Sequence, residues 1–83
     1  NAKMAYIISQ HSQEVTAKLL EMELGVTILS GRGGFSGDEK QVVFCAFKRS
    51  QMAAIKAAVT AIDPRAFIIV CEAHEVLGDG FGE

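Results

Sequence analysis

The sequence contains no tryptophan, a single proline and only two cysteines among its 83 residues. Two cysteines cannot build the disulfide framework of a small secreted domain, and both lie inside apolar runs, which is typical of a reducing compartment. Long apolar runs are missing as well, because the longest, residues 42–47 and 66–71, have six residues each and a membrane helix needs about 20. No signal peptide is recognisable. We therefore expect a soluble piece of a protein, without a membrane span of its own.

Positive charge is not in excess either. Eight Lys and Arg residues stand against ten Asp and Glu residues, for a net charge of −2. Nonspecific nucleic-acid binding draws its affinity from neutralised phosphates, so we expect no nucleic-acid partner. The length fits one domain. We expect the chain to be an excised fragment in which residues 1–3 are a cloning remnant or a disordered start. Residues 4–73 should form the domain, and residues 74–83 a Gly-rich C-terminal tail.

The apolar pattern predicts strand, helix and strand, twice over. The predicted strands cover residues 4–9, 26–30, 42–47 and 66–71, and the predicted helices cover residues 13–24 and 51–62. Two such units in tandem describe an α+β fold, the ferredoxin-like βαββαβ two-layer sandwich, with a four-stranded antiparallel sheet and both helices on one face. In that strand order the first strand separates the third from the fourth. Cys45 and Cys71 should therefore not pair, and both are expected to be core thiols.

The two units are related by a shift of 40 residues. The shift places Leu19 on Val59, so the second helix repeats the buried face of the first at the same phase. Gly25 is expected to end the first helix in a left-handed conformation. Pro64 cannot continue the second helix and disfavours helical geometry at the residue before it.

The strands lack the alternation of apolar and polar residues that a sheet with one wet face shows. On the third strand, for example, both faces are apolar: Val43, Cys45 and Phe47 oppose Val42, Phe44 and Ala46. About six large side chains thus remain for the face away from the helices, and covering them is worth roughly 9 kcal/mol at about 1.5 kcal/mol each. That rivals the whole stability of a small domain, about 5–10 kcal/mol. We therefore expect a homo-oligomer, a dimer or a trimer, with the tail residues Val76, Leu77 and Phe81 as a partial alternative cover.

A Gly-rich segment joins the second and third predicted strands. It reads Gly31-Arg32-Gly33-Gly34-Phe35-Ser36-Gly37 and is followed by Lys40. Successive backbone N–H groups in such a turn can form an anion-binding nest, to which Arg32 and Lys40 add positive charge and Phe35 adds a stacking surface. The segment matches no dinucleotide fingerprint and no P-loop. It is therefore either the binding loop for a small anionic ligand, such as a nucleotide, or a mobile hairpin turn without a ligand.

The residues after the last predicted strand offer a second wall for such a site. The candidates are His74, Gly78, Gly80 and Phe81, folded against the Gly-rich segment of the same or a neighbouring subunit; the alternative is a frayed terminus. His74-Glu75 does not begin a zinc-protease motif because position 78 is glycine, and the His and Cys residues lack metal-ligand spacing. No arrangement supports catalysis, so we expect no enzyme, no metal site and no cofactor.

Several of these features occur together in an order that resembles a known family. Residues 25–29 (Gly-Val-Thr-Ile-Leu) lead into the Gly-rich segment, and residues 74–81 read His-Glu-Val-Leu-Gly-Asp-Gly-Phe. The chain resembles the C-terminal soluble domain, of undefined function, found on YitT-type bacterial membrane proteins. The resemblance implies that the parent chain has an N-terminal transmembrane region and that this region is a partner of the domain. It also implies that the domain lies on the cytoplasmic face of the plasma membrane.

The architecture of that family is similar to PII-like signalling proteins and to CutA, which are trimers. In PII proteins the loop between the second and third strands and the subunit clefts bind nucleotides and partners. The similarity implies a regulatory or sensor domain that binds its ligand near residues 31–40. Only the position of this loop corresponds to PII and not its amino acids, so the similarity does not imply ATP binding. The alternative is a ligand-free oligomerisation module of the membrane protein.

Overall fold

The computed structural model describes residues 2–78. Its elements in chain order are β1 (Ala2–Ile8), α1 (Ser12–Glu21), β2 (Val26–Arg32), β3 (Glu39–Lys48), a 3-10 turn (Arg49–Gln51), α2 (Met52–Ile62) and β4 (Phe67–Ala73). The strands form one antiparallel sheet in the order β2-β3-β1-β4. The predicted ferredoxin-like βαββαβ fold is confirmed, with both helices on one face of the sheet.

The core lies between the helices and the two central strands. Its fully buried members come from alternate positions of β1 and β3 and from one row of each helix: Ala5, Ile7, Val43, Cys45, Phe47, Val15, Leu19, Ile55 and Val59. Side chains alternate between the faces of a strand, whereas residues four apart share a helix face. The predicted repeat of one buried seam in both helices is therefore confirmed.

The two cysteines lie on opposite faces of the sheet. Cys45 is buried in the core, and burial raises the pKa of its thiol to about 11. Cys71 pairs in register with Met4 and is only half buried, on the face away from the helices. The prediction of two core thiols is thus right for Cys45 and wrong for Cys71, because the strand alternation turns Cys71 outward.

The first helix ends earlier than predicted, at Glu21. Glu23 takes the left-handed conformation, with φ of 66°. Its N–H donates to the carbonyl of Leu20 (2.9 Å), and the N–H of Leu24 donates to the carbonyl of Leu19 (3.1 Å), which are the two hydrogen bonds of a Schellman motif. The prediction that Gly25 supplies the left-handed residue is wrong. Leu24, whose N–H completes this motif, is buried in the core.

The two ends of the sheet are held differently. At one end β1 begins at Ala2, earlier than expected, and the buried Lys3 donates to Glu72 Oε2 (2.7 Å), which also accepts from Arg49 (3.2 Å). At the other end β1 pairs with β3 only as far as Ile8, while β2 and β3 continue pairing beyond it. The two strands therefore project as a ribbon, and we call this end of the sheet the hairpin end.

Candidate functional site

The Gly-rich segment closes the ribbon in a tight, hydrogen-bonded turn. The N–H of Gly33 donates to the carbonyl of Asp38 (2.8 Å), and the N–H of Gly37 donates to the carbonyl of Gly33 (2.9 Å). Gly37 has φ of 77°, and a Cβ at Gly33 would lie 2.7 Å from Ser36 Oγ. The positive φ requires glycine at position 37, while a side chain at position 33 would displace the hydroxyl of Ser36.

The base of the hairpin lines cavities, whereas its tip projects into solvent. Gly31, Arg32 and Lys40 line a shallow cavity of about 520 Å³ at the base. Phe35 at the tip is fully exposed, and a Cβ at Gly34 would meet open space. Of the predicted ligand residues in this segment, the structure thus brings those at the base to a concave surface, and the proposed role of the tip residues stays a prediction.

A larger cleft, of about 700 Å³, opens at the hairpin end between three loops. Its walls are residues 9–12 before and at the start of α1, residues 38–41 at the hairpin base, and Asp63 with Arg65 in the turn before β4; Ile8 and Phe67 line it from the sheet. We call it the hairpin-end cleft. Of the predicted site residues, the cleft contains Lys40. Ser9, Asp63 and Arg65 also line it and were not among the predicted site residues.

Asp63 holds two walls of the cleft together. Its Oδ2 accepts a hydrogen bond from Ser9 Oγ (2.6 Å), and its Oδ1 accepts one from the N–H of Arg65 (2.9 Å). Ser9 Oγ accepts in turn from the N–H of His11 (2.9 Å). The hydrogen bond from Ser9, and after it the one from the Arg65 backbone, lower the pKa of Asp63 below its ordinary value of 3.8. Because Asp63 precedes Pro64, its backbone is extended, as predicted.

The start of α1 borders the same cleft through Ser12. No side chain caps this helix, and Ser12 Oγ instead donates to Gln41 Oε1 of β3 (3.0 Å). Uncapped N–H groups at a helix start carry partial positive charge. Lys40 and Arg65 add two cations to the cleft, while Asp38 and Glu39 of the hairpin wall and Asp63 bring three carboxylates. The cleft is therefore polar and of mixed charge.

The predicted second wall does not join this site within the chain. His74 follows β4 at the end of the sheet where Ala73 pairs with Ala2, opposite the hairpin end. Seven strand residues, about 23 Å, separate the two ends, so His74 does not meet the Gly-rich segment, Ser36 included. Gly78 has φ of 129° and follows the end of β4 by five residues, while Gly80 and Phe81 lie outside the described residues. A contribution from a neighbouring subunit stays a prediction.

The sheet face away from the helices is largely apolar, as predicted, with the polar Thr27 on its edge strand β2. We call it the open face; its members are Thr27, Leu29, Val42, Phe44, Ala46, Met4, Tyr6, Ile8, Phe67, Ile69 and Cys71. The rings of Tyr6 and Phe44 lie 5.0 Å apart near its centre. Phe67 is 62% exposed and Ile69 is 42% exposed. Leu77 is 83% exposed, so this member of the predicted tail cover does not pack on the sheet.

Residues 2–78 contain neither a membrane-spanning helix nor a metal-binding cluster. No helix in this range combines the length and the apolar character that a membrane crossing requires. Within the same range, no group of three or more His, Cys, Asp or Glu residues is placed to hold a metal ion.

Comparison with known proteins identifies the family of the chain. The family described as "Uncharacterized protein conserved in bacteria (DUF2179)" matches residues 24–78. The chain belongs to the DUF2179 family. The UPF0750 membrane protein YpjC of Bacillus subtilis (strain 168) is 41% identical over 81 residues, which are 96% of this DUF2179 chain and 28% of YpjC. The resemblance to a domain of bacterial membrane proteins is thereby confirmed, and the chain spans less than a third of that relative.

Solved structures agree with the fold. A DUF2179 protein from Eubacterium ventriosum matches with a TM-score of 0.76 at 29% identity, covering 86% of this chain and 99% of that one. PII from Arabidopsis thaliana, solved bound to citrate, matches with a TM-score of 0.73 at 21% identity, covering 94% of this chain and 79% of PII. At that identity the likeness to PII shows a shared fold and nothing about function.

Proposed function

We propose that this DUF2179 domain is a regulatory domain of a larger membrane protein and that it binds a small anionic ligand in the hairpin-end cleft. The observation that carries the proposal is the composition of this cleft, where Lys40, Arg65 and the uncapped start of α1 line one space of about 700 Å³. The membrane protein among its relatives supports a membrane-bound parent. The free cysteines favour the cytoplasmic side, because cytosolic thiols stay reduced.

The walls of the cleft define the class of ligand. The helix start and the two cations favour a phosphate or carboxylate group. Asp38 and Glu39 on the hairpin wall accept hydrogen bonds, so they favour hydroxyl or amino groups elsewhere on the ligand. A nucleotide or a hydroxy acid has both kinds of group. The citrate in the PII structure is a hydroxy acid, which is a reason to include that compound among the probes.

A thermal-shift panel with inorganic phosphate, citrate and nucleoside mono-, di- and triphosphates tests the proposal. A ligand at 100 times its Kd adds about 2.7 kcal/mol to the free energy of unfolding. Replacing Lys40 or Arg65 by alanine removes a charge-assisted hydrogen bond and should weaken binding about 10- to 100-fold. Lys56→Ala is the matched control, because Lys56 is exposed on α2 and lies outside the cleft.

Two results would contradict the ligand proposal. One is a panel in which no compound changes the unfolding temperature. The other is a binding compound whose affinity is the same for the wild type and for both cleft variants, since its site would then lie elsewhere.

The open face favours a second candidate, a ligand-free module that clusters the membrane parts of the parent protein. Under this alternative, Arg32→Ala and Gly34→Ala leave the activity of the parent membrane protein intact, while Phe44→Asp abolishes it. The alternative fails if Lys40→Ala leaves the domains assembled but the parent protein inactive, because assembly alone would then not account for the role of the domain.

A further inference from the structure

The open face and the hairpin-end cleft share residues. Ile8 and Phe67 form a cross-strand pair on the open face, and both also line the cleft. Lys40 lies in the cleft and, two residues before Val42 on β3, on the same side of the sheet as the open face. Whatever covers the open face at the hairpin end therefore lies at the mouth of the cleft.

We propose that a second copy of this chain packs on the open face and that the same contact closes the mouth of the hairpin-end cleft at Ile8 and Phe67. The packing of the second copy stands independently of the ligand. The regulatory meaning of the closure rests on the function proposed above, since a closed cleft would couple ligand binding to assembly.

The area of the open face indicates how far such a contact extends. Four strands about 4.8 Å apart and about 23 Å long present a flat area of roughly 440 Å². Specific, stable protein pairs bury about 800 Å² on each partner. The flat area is about half of that figure, so a contact of that size extends past the open face onto its rim, of which the mouth of the cleft is one part.

The edge strands provide the remaining apolar surface. β4 is an edge strand with five consecutive apolar residues, Phe67–Cys71, and it contains no lysine or proline. Monomeric sheets protect such edges with charges, prolines or bulges. Residues 67–71 have none of these devices; the charge of β4, Glu72, lies near its end in ion pairs with Lys3 and Arg49. Such an uncharged apolar stretch is typical of a surface that is buried between protein subunits.

The charge distribution disfavours a lipid surface as the occupant. The open face carries no carboxylate, and Lys40 and Lys48 lie at its two ends along β3. Lipid-binding segments use clusters of four to eight Lys or Arg residues, whereas this chain has a net charge of −2. An apolar centre with little charge is instead typical of homo-oligomer interfaces.

Sedimentation velocity on the wild-type chain and on charge variants tests the self-association. Leu29→Asp on β2 and Ile69→Asp on β4 place a carboxylate at opposite edges of the open face, at positions that are 42% exposed in the protomer. Both variants should fold, with unchanged circular dichroism, and associate at least 100-fold more weakly, because an unpaired charge is costly to bury. Leu20→Asp is the control, because this exposed residue lies on α1, on the other side of the sheet, and its variant should assemble like the wild type.

Several outcomes would overturn the self-association. They are a wild-type mass of 8.9 kDa at all concentrations up to several hundred micromolar, and folded open-face variants that assemble like the wild type. Binding of a monomeric chain to vesicles with anionic lipids would assign the face to a membrane. A monomer that assembles only after deletion of residues 74–83 would assign the cover to the tail.

Hydrogen exchange at residues 9–11 tests the closure separately and needs no ligand. We expect the exchange of these loop amides to slow on assembly of the wild type and to stay fast in Leu29→Asp. Unchanged exchange in an assembled wild type would overturn the closure alone. Ligand binding is measured separately on the monomeric Leu29→Asp variant. Binding by this monomer would show that the proposed function stands even where the closure of the cleft fails.

Discussion

Replacing Glu23 by glycine should stabilise the domain. Glu23 holds the left-handed position of the α1 Schellman motif with φ of 66°, a conformation that costs a residue with a Cβ about 1–2 kcal/mol. Glycine removes that cost, but it adds about 0.4–1 kcal/mol of backbone entropy to the unfolded chain. The net gain is therefore about 0.5–1 kcal/mol, which corresponds to a rise of about 3–6 °C in the Tm of a domain of this size.

Thermal and urea unfolding at one protein concentration measures this gain, because association also shifts the Tm. Gly25→Ala is the matched control. A Cβ at Gly25 meets nothing within 4 Å and its φ is not positive, so this variant should be as stable as the wild type or slightly more stable. A loss of stability in Glu23→Gly, or a loss of about 1 kcal/mol in Gly25→Ala, would refute the assignment of the left-handed residue.

Three further predictions concern the hairpin-end cleft, the core and the turn. The pKa of Asp63 is lowered in the folded state. The stabilisation by ionised Asp63 is therefore fully present above pH 3.8, the ordinary pKa of the group, and is lost as the pH falls through the lower pKa of the folded state. Asp63→Asn should remove this part of the acid dependence in urea unfolding. Phe47→Ala should cost about 3–5 kcal/mol and leave a largely unfolded chain by circular dichroism, since Phe47 is fully buried. Gly37→Ala should lower the Tm because its φ is positive, while Gly34→Ala, at an open position, should not.

Much of the fold is predictable from the sequence because it follows from local periodicity. The seam that Leu19 and Val59 share is visible as spacing, and it is buried as expected. The element ends were less accurate, since they depend on long-range contacts. β1 includes Lys3 because that lysine meets Glu72, 69 residues away. At the end of α1 the N–H of the buried Leu24 completes the motif, which no composition rule for glycine reveals.

The candidate site was predictable only in part. The Gly-rich segment indicates the hairpin, and Lys40, which follows this segment, lines the hairpin-end cleft. The sequence pattern gave no reason to single out Ser9 or Arg65, although the βαββαβ topology already places their loops at the end of the sheet that carries the hairpin. The Ser9–Asp63 hydrogen bond joins residues 54 positions apart, and such a pair is visible only in three dimensions. The predicted place of His74 beside the hairpin does not agree with the strand directions, because β4 runs antiparallel to β1 and therefore ends where β1 begins.

The reactivity of Cys71 tests most directly whether the open face is covered in the assembled protein. Cys71 lies on this face, whereas Cys45 is buried in the core with a raised pKa and serves as the unreactive reference. At equal concentration and pH, a thiol reagent should modify Cys71 at least 10-fold more slowly in the wild type than in the folded Leu29→Asp variant, whose substitution is on the opposite edge strand. Equal rates in the two proteins would contradict the account, because Cys71 would then be as open to solvent in the wild type as in the variant.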